Sequence, residues 1–174
     1  VAAELGDPEQ VEAMLQKLRV EGPPIDIVYN NAAIMTGYCN DWLNVPADDL
    51  RKSFEVNVTA LVRICHALLP GMLSRGWGRV VNVTSGIADQ PELIAYAISK
   101  AAVDKFVLDS AGKLAGTGVT MNLLDPGWLR TDLGGPNAPG SVDTVLPGAL
   151  VPVLIEDGVS GKLFRAQDYA GQGR

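Results

Sequence analysis

The sequence has few of the residues on which several kinds of protein depend. Its 174 residues include one histidine, His66, which excludes a histidine-rich metal site. That residue stands in the apolar run "LVRICHALL" and is predicted to be a structural helix residue. The two cysteines, Cys39 and Cys65, cannot build a disulfide framework, so we expect a reducing cytoplasm. No G-x-S-x-G elbow is present, and a serine hydrolase triad is therefore not indicated.

Charge and hydropathy argue against two classes of partner. The formal net charge is −6 and no long basic run exists, so we expect neither nucleic acid nor an anionic membrane as a partner. We expect that no apolar stretch reaches the roughly 18 residues of a membrane span, and the first residues lack a signal-peptide pattern. With 47% hydrophobic residues and no linker, the chain is expected to form one domain over residues 1–174.

Helical and strand patterns alternate along the chain. Asp7 and Pro8 are good residues for the start of a helix, and Gln10 completes a capping-box pattern. Strand segments are short, apolar and flanked by glycine or proline. The first predicted helix contains "DPEQVEAMLQKL" (7–18) and is ended by "GPP" at 22–24. The other predicted helices cover 46–73, 92–115 and a short piece near 142–155, and the predicted strands cover 25–30, 78–84, 119–125 and 161–166.

This alternation predicts a doubly wound, Rossmann-type α/β fold. Strands that are apolar on both faces indicate a parallel sheet covered by helices on both sides. Ligands of such sheets bind at the carboxyl ends of the strands. Polar side chains follow three of the predicted strands there: Asn30 and Asn31, Thr84 and Ser85, and the segment 125–131.

The stretch "AYAISKAAVDKF" places Tyr96 four residues before Lys100 in an apolar helix. Residues at this spacing share one helix face and can converge on a ligand. One interpretation is an acid–base pair, in which the ammonium lowers the pKa of the phenol. The other is a helix at the edge of the core with a snorkelling lysine. Ser85, eleven residues before Tyr96, either joins the pair or is a turn residue.

Four motifs, in order along almost the whole chain, resemble the short-chain dehydrogenase/reductase family. The segment "YNNAA" resembles the family's N-N-A-G, with Ala33 where the family usually has glycine. The segment "FEVNVTAL" resembles the helix motif that carries a catalytic asparagine. The pair "VVNVTSG" and "YAISK" resembles the serine and Y-x-x-x-K motifs, and "DPGWLRTDL" resembles P-G-x-x-x-T.

The resemblance implies a catalytic role for four residues. Tyr96 would protonate a carbonyl oxygen on reduction or act as the base on oxidation. Lys100 would lower the pKa of Tyr96 and hydrogen-bond the nicotinamide ribose. Ser85 would donate to the substrate oxygen. Asn57 would hold a water that links Lys100 to bulk solvent; the alternative is a mid-helix side chain paired with backbone.

The same resemblance implies NAD or NADP as the cofactor and a small carbonyl or alcohol as the substrate. The turn at Pro126 would let backbone approach the nicotinamide ring. Thr131 would hydrogen-bond the carboxamide, and a helix N-cap is its alternative role. The residues implied to contact the cofactor are Glu4, Leu5, Asn30, Asn31, Ala32, Tyr96, Lys100, Pro126, Gly127 and Thr131.

One motif of the family is missing: the turn T-G-x-x-x-G-x-G, which cradles the pyrophosphate, does not occur. The opening "VAAELGDP" instead resembles the family's third strand, with Glu4 at its acidic position. We therefore expect that the sequence is a fragment that lacks the first strands. In the doubly wound order, the segment 2–5 would then have no neighbour, and "IDIVYN" would be an exposed edge.

Three functional hypotheses remain. The leading one is an NAD(P)-dependent oxidoreductase, whose loop at 132–150 covers the substrate and whose long helices form a homodimer or homotetramer. A second is a non-catalytic remnant that serves as a binding or structural module, which the missing phosphate cradle favours. A third is a relative that dehydrates or epimerises a nucleotide-sugar; the "NNAA" and "PGWLRT" segments fit a reductase better.

Overall fold

The computed structural model describes residues 1–170 and consists of four strands and five α-helices. A π-helical turn, Glu55–Ala60, joins α2 to α3, and short 3-10 turns lie in the loops. The strands are β1 Ile27–Asn30, β2 Gly78–Val83, β3 Val119–Asp125 and β4 Leu163–Arg165. The helices are α1 Pro8–Glu21, α2 Ala47–Phe54, α3 Leu61–Arg75, α4 Ile94–Leu114 and α5 Val151–Leu154.

The strands form one parallel sheet in the order β1-β2-β3-β4. Tyr29 lies opposite Val81, and Val83 lies opposite Leu124, so the carboxyl ends of β1, β2 and β3 meet at one edge. Parallel pairing requires a long crossover between strands, and helices supply it here. The predicted α/β fold with a parallel sheet is confirmed.

Each face of the sheet buries its own hydrophobic cluster. Val80 and Met121 point toward α3 and α4, where they pack with Val103 and Val107. Val81 and Val83 of β2 and Leu124 of β3 point to the opposite face, where they pack with Phe164 and with residues of the segment 145–169. Because both faces are covered, the two central strands are buried along almost their whole length, which is why their sequences show no regular alternation of apolar and polar residues.

The start of α1 follows the local rule that the sequence predicts. The Asp7 carboxylate accepts hydrogen bonds from the backbone N–H groups of Glu9 and Gln10, at 2.9 and 3.2 Å. The Gln10 amide donates back to that carboxylate at 2.9 Å. These bonds satisfy N–H groups that the first helical turn leaves without partners.

The long helix predicted over 46–73 is confirmed as the continuous run Ala47–Arg75. The expectation that no stretch of the chain reaches the length of a membrane span is wrong, because this run is long and apolar enough by length and composition. One such helix is weak evidence for a span, since core helices pass the same test. Here Leu61, Cys65 and Met72 pack into the core on the α4 side of the sheet.

The amino-terminal segment does not form the strand that its sequence resembles. Residues 2–5 form no strand, since no strand among the described residues lies where they could pair. Leu5 instead packs beside Val11 and Leu15. As expected, β1 is an edge strand, and its Ile27 and Tyr29 are 46% and 38% exposed. The helical piece predicted near 142–155 is two 3-10 turns followed by the single turn of α5.

Two glycines before β3 give a test of how α3 and β3 pack. Gly116 and Gly118 both have positive φ, at 74° and 78°, where a side chain is strained by roughly 1–2 kcal/mol. A Cβ on Gly118 would also collide with the Gly76 carbonyl, whereas one on Gly116 would meet nothing.

We therefore expect Gly118→Ala to lower the free energy of unfolding by about 1–3 kcal/mol more than Gly116→Ala, because only the former overpacks the contact. Urea denaturation of both variants measures the difference. Equal losses would show that the approach of Gly118 to Gly76 is not a tight contact.

Candidate functional site

Three strand ends place polar groups at one edge of the sheet. Asn30 closes β1, Thr84 and Ser85 follow β2, and Asp125 closes β3. The N–H of Thr84 donates to the carbonyl of Leu124 at 2.9 Å, so the ends of β2 and β3 stay level. The predicted convergence of polar residues at the carboxyl ends is therefore present.

Tyr96 and Lys100 lie on α4 and are buried beside the end of β2. Their exposed fractions are 8% and 4%. The Lys100 ammonium donates to the Val83 carbonyl at 2.9 Å and lies 5.6 Å from the centroid of the Tyr96 ring. The Ser85 hydroxyl, which interacts with the Tyr96 phenol, also accepts from the Ile87 N–H at 3.2 Å. The structure thus brings the predicted serine, tyrosine and lysine together, and it excludes a snorkelling lysine.

Burial shifts the two titrating groups toward their neutral forms. It raises the pKa of the Tyr96 phenol; the Ser85 hydroxyl opposes this, and the Asp125 charge adds to it. Burial lowers the pKa of Lys100 to about 8, against the opposing charge of Asp104. The net shift of the Tyr96 pKa is upward, because desolvation of the phenolate is its largest cause. An opposing effect of the Lys100 ammonium on this pKa stays a prediction.

Asn57 lies in the π-helical turn and joins two other segments. Its Oδ1 accepts from the Ile34 N–H at 2.8 Å, and its Nδ2 donates to the Ile34 carbonyl and to the Ser99 hydroxyl, each at 2.9 Å. π-turns of this kind are frequent at functional sites. Asn57 is therefore paired with backbone, as its alternative role required, and its part in a proton relay stays a prediction.

Sequence reasoning missed two residues that support the pair. Ser99 is fully buried; it donates to the Tyr96 carbonyl at 2.7 Å and accepts from Asn57. Asp104 lies one turn after Lys100 and accepts a short hydrogen bond from the Thr84 hydroxyl. The available signals were a serine next to Lys100 in an apolar helix and a carboxylate at the i+4 position.

Four of the residues predicted to contact a cofactor line one small cavity beside the end of β1. It has a volume of about 80 Å³. Asn30 is held at its wall by donating to the Asn82 side chain at 2.8 Å. Glu4 is exposed and does not line this cavity. The residues that line it are Leu5, Tyr29, Asn30, Asn31, Ala32, Val56, Leu61 and Ile64.

The remaining predicted residues form turns after β3. Gly127 has φ of 78°, which favours glycine, and its N–H donates to Asp125 at 2.9 Å. Gln167 donates to the Pro126 carbonyl at 3.1 Å. Thr131 is exposed, and its hydroxyl accepts from the Gly134 N–H at 3.0 Å, so it caps a turn. A nicotinamide contact of Thr131 stays a prediction.

His66 is exposed on α3, where its ring meets the edge of the Phe106 ring at 6.3 Å between centroids. Within residues 1–170, no group of three or more His, Cys, Asp or Glu residues is arranged to hold a metal ion.

Comparison with known proteins identifies the sequence features as those of one family. The family model described as short chain dehydrogenase matches residues 1–141. The chain is 33% identical over 138 residues to the 3-oxoacyl-(acyl-carrier-protein) reductase FabG of Vibrio cholerae, a match that covers 76% of this chain and 54% of that protein. The chain thus spans about half the length of this relative.

Two further similarities differ in length and kind. The C-signal protein of Myxococcus xanthus is 32% identical over 157 residues, which cover 85% of this chain and 90% of that protein. A solved structure of NADPH-bound carbonyl reductase from chicken fatty liver superimposes with a TM-score of 0.81 at 23% identity, covering 96% of this chain and 74% of that chain. At this identity, the structural likeness shows the fold alone.

The buried ammonium generates a prediction about stability and pH. The folded-state pKa of Lys100 is about 8, whereas the ordinary value of a lysine side chain is 10.5. Between these values the unfolded chain binds more protons than the folded chain, so the contribution of Lys100 to stability rises with pH. From about pH 7.5 to 9.5 we expect the unsubstituted chain to gain about 2 kcal/mol in unfolding free energy relative to Lys100→Met.

Urea denaturation at several pH values measures this difference. Burial raises the pKa of the Cys65 thiol to about 12, which acts in the opposite direction, but Cys65 is present in both chains and its effect cancels. Parallel pH dependences of the two chains would contradict the prediction.

Proposed function

Because the chain belongs to the short chain dehydrogenase family, we propose that it is an oxidoreductase that uses NAD or NADP and acts on a carbonyl or alcohol group. The observation that carries this proposal is the meeting of Ser85, Tyr96 and Lys100 at the carboxyl end of a parallel sheet. An acid, a hydrogen-bond donor and a cation at one point suit the protonation of a carbonyl oxygen.

Each of the three side chains has a task in that chemistry. Tyr96 donates its hydroxyl proton to the carbonyl oxygen on reduction and takes it back on oxidation. The Ser85 hydroxyl donates a hydrogen bond to the same oxygen and orients it. Lys100, fixed by the Val83 carbonyl, stabilises the phenolate that is left after the proton transfer. Hydride transfer is the chemistry that the nicotinamide supplies when it is bound.

The residues present fit the two ends of a dinucleotide. At one end, the cavity lined by Leu5, Asn30, Asn31 and Ala32 offers apolar walls and the exposed Asn31 side chain beside β1. At the other end, Tyr96 and Lys100 lie beside the end of β2, and the turn at Pro126 and Gly127 follows the neighbouring end of β3, with no side chain on Gly127. The 174 residues contain no glycine-rich phosphate turn, so the proposed fit to a dinucleotide depends on the residues at these two ends.

The segment 132–150 is proposed to cover the substrate. It follows β3 and Thr131, contains two 3-10 turns, and carries apolar side chains that are exposed, among them Leu133, Val142 and Leu146. Its first part is tethered, since Arg130 donates to the carbonyls of Ala138 and Pro139, each at 2.8 Å. Apolar walls of this kind suit an apolar carbonyl compound. A homodimer or homotetramer, a cytoplasmic location, and the absence of nucleic-acid or membrane partners stay predictions.

Calorimetric titration with NADH and NADPH tests whether this chain binds a dinucleotide. We expect saturable binding of at least one of them in about the micromolar range. Lys100→Met should weaken it about tenfold, because a charge-assisted hydrogen bond to the ribose is lost. Lys105→Met is the matched control, since Lys105 lies on the same helix but is exposed and paired with Asp109. No binding of either dinucleotide would overturn the proposal for this chain.

Turnover of an α-diketone, followed by the oxidation of NADPH or NADH, tests the role of the phenol. Tyr96→Phe should lower the rate by about 10²–10⁴, the usual contribution of general acid–base catalysis, and leave the fold intact. Tyr169→Phe removes a hydroxyl from the cluster on the other face of the sheet and should leave the rate unchanged. Equal rates for Tyr96→Phe and the unsubstituted chain would exclude Tyr96 as the acid.

A further inference from the structure

We propose that Asp125 is a positioning residue for the site: its carboxylate, held by the Gly127 N–H and seated against Gly86, fixes a negative charge beside the turn that carries Ser85 and thereby favours proton donation by Tyr96. The inference deepens the proposed function. Its consequence for the direction of reaction rests on that proposed function. Its electrostatic part concerns residues of this chain alone and can be tested without a cofactor.

The backbone holds the Asp125 carboxylate beside the catalytic serine. Its Oδ1 accepts from the Gly127 N–H at 2.9 Å, which fixes the side chain at the end of β3. Its Oδ2 lies 3.0 Å from the position that a Cβ would occupy on Gly86. The absence of a side chain on Gly86 therefore leaves room for this oxygen next to Ser85. The negative charge of Asp125 therefore lies beside the turn of Ser85 and Gly86, and Ser85 is the residue that interacts with the Tyr96 phenol.

Charges of both signs surround Tyr96. From its own helix, α4, the phenol faces the Lys100 cation, and Asp104 lies one turn further on, where its charge acts on Lys100. From the turn after β2 it meets the uncharged Ser85, and from β3 the charge of Asp125. The loop that leads into α4 also carries two acidic residues, Asp89 and Glu92.

Repulsion between two negative charges is the physical basis of the effect. When Tyr96 gives up its proton, the phenolate comes into the field of Asp125 in a buried setting that screens poorly. The sign is therefore fixed: Asp125 raises the pKa of Tyr96, and its removal lowers that pKa. Reduction needs the protonated phenol and oxidation needs the phenolate. The Asp125 charge therefore extends reductive activity to higher pH and shifts the onset of oxidative activity to higher pH.

Nuclear magnetic resonance of the tyrosines measures this directly in the chain without cofactor. The protein contains four tyrosines, so ¹³Cζ labelling gives four signals, and Tyr96→Phe assigns the one of interest. Asp125→Asn removes the charge but keeps an oxygen that can accept from Gly127. Asp143→Asn changes the net charge equally at an exposed loop position and serves as the control. Should Asp125→Asn not fold, Asp125→Ser removes the same charge with a smaller acceptor.

The expected result is a Tyr96 titration midpoint at lower pH in Asp125→Asn than in the unsubstituted chain and in Asp143→Asn. The other three tyrosine midpoints should stay in place, which a general loss of structure would not allow. An unchanged or higher Tyr96 midpoint would overturn the inference. Failure to bind a dinucleotide in the calorimetric titration overturns the proposed function instead, and the two failures are therefore distinguishable.

Discussion

The buried ammonium of Lys100 is the interaction on which the candidate site depends. A charged amine in a protein core costs free energy unless a polar partner receives it, and the partner here is the Val83 carbonyl at the end of β2. This bond requires α4 to lie across the carboxyl end of the sheet, which places Tyr96 over the same end. The packing of Val103 and Val107 against Met121 holds the helix in that position.

Burial gives the two titrating groups a useful order of acidity. The pKa of Lys100 is lowered to about 8, whereas that of the Tyr96 phenol is raised above its ordinary value. The ammonium is then the stronger acid of the two. In the proposed reduction, a phenolate formed by proton donation can regain a proton from Lys100 with a favourable free energy. In this proposal, the burial that holds Tyr96 and Lys100 in place also lets Lys100 return a proton to the Tyr96 phenolate.

A second set of contacts holds the loops around this centre. Asn57, in the π-helical turn, bonds both backbone groups of Ile34 and the Ser99 hydroxyl, which in turn donates to the Tyr96 carbonyl. The loop after β1, the long helix and α4 are therefore connected by buried hydrogen bonds, which are expensive to leave unmade. The cavity beside β1 depends on the same connection, because Val56 of that turn forms part of its wall.

The sequence by itself determined the elements and the identity of the central residues. Capping at Asp7, the apolar strands, and the spacing of Tyr96 and Lys100 are local patterns, which depend on neighbours within a few residues. The resemblance to a family pointed to the same pair and to four of the eight residues that line the cavity. The open edge at β1 also followed from the sequence, because strand order fixes which strand lacks a neighbour.

Only the tertiary structure decided the chemistry around the pair. The direction of the Tyr96 shift depends on burial and on Asp125, a residue far along the chain, and the partner of Asn57 is a loop residue before it. Thr84 and Asp104 meet because a strand end and a helix are packed together. Charges and hydrogen bonds act through distance in space, and a linear sequence does not state which of its distant residues come within a few ångströms of each other.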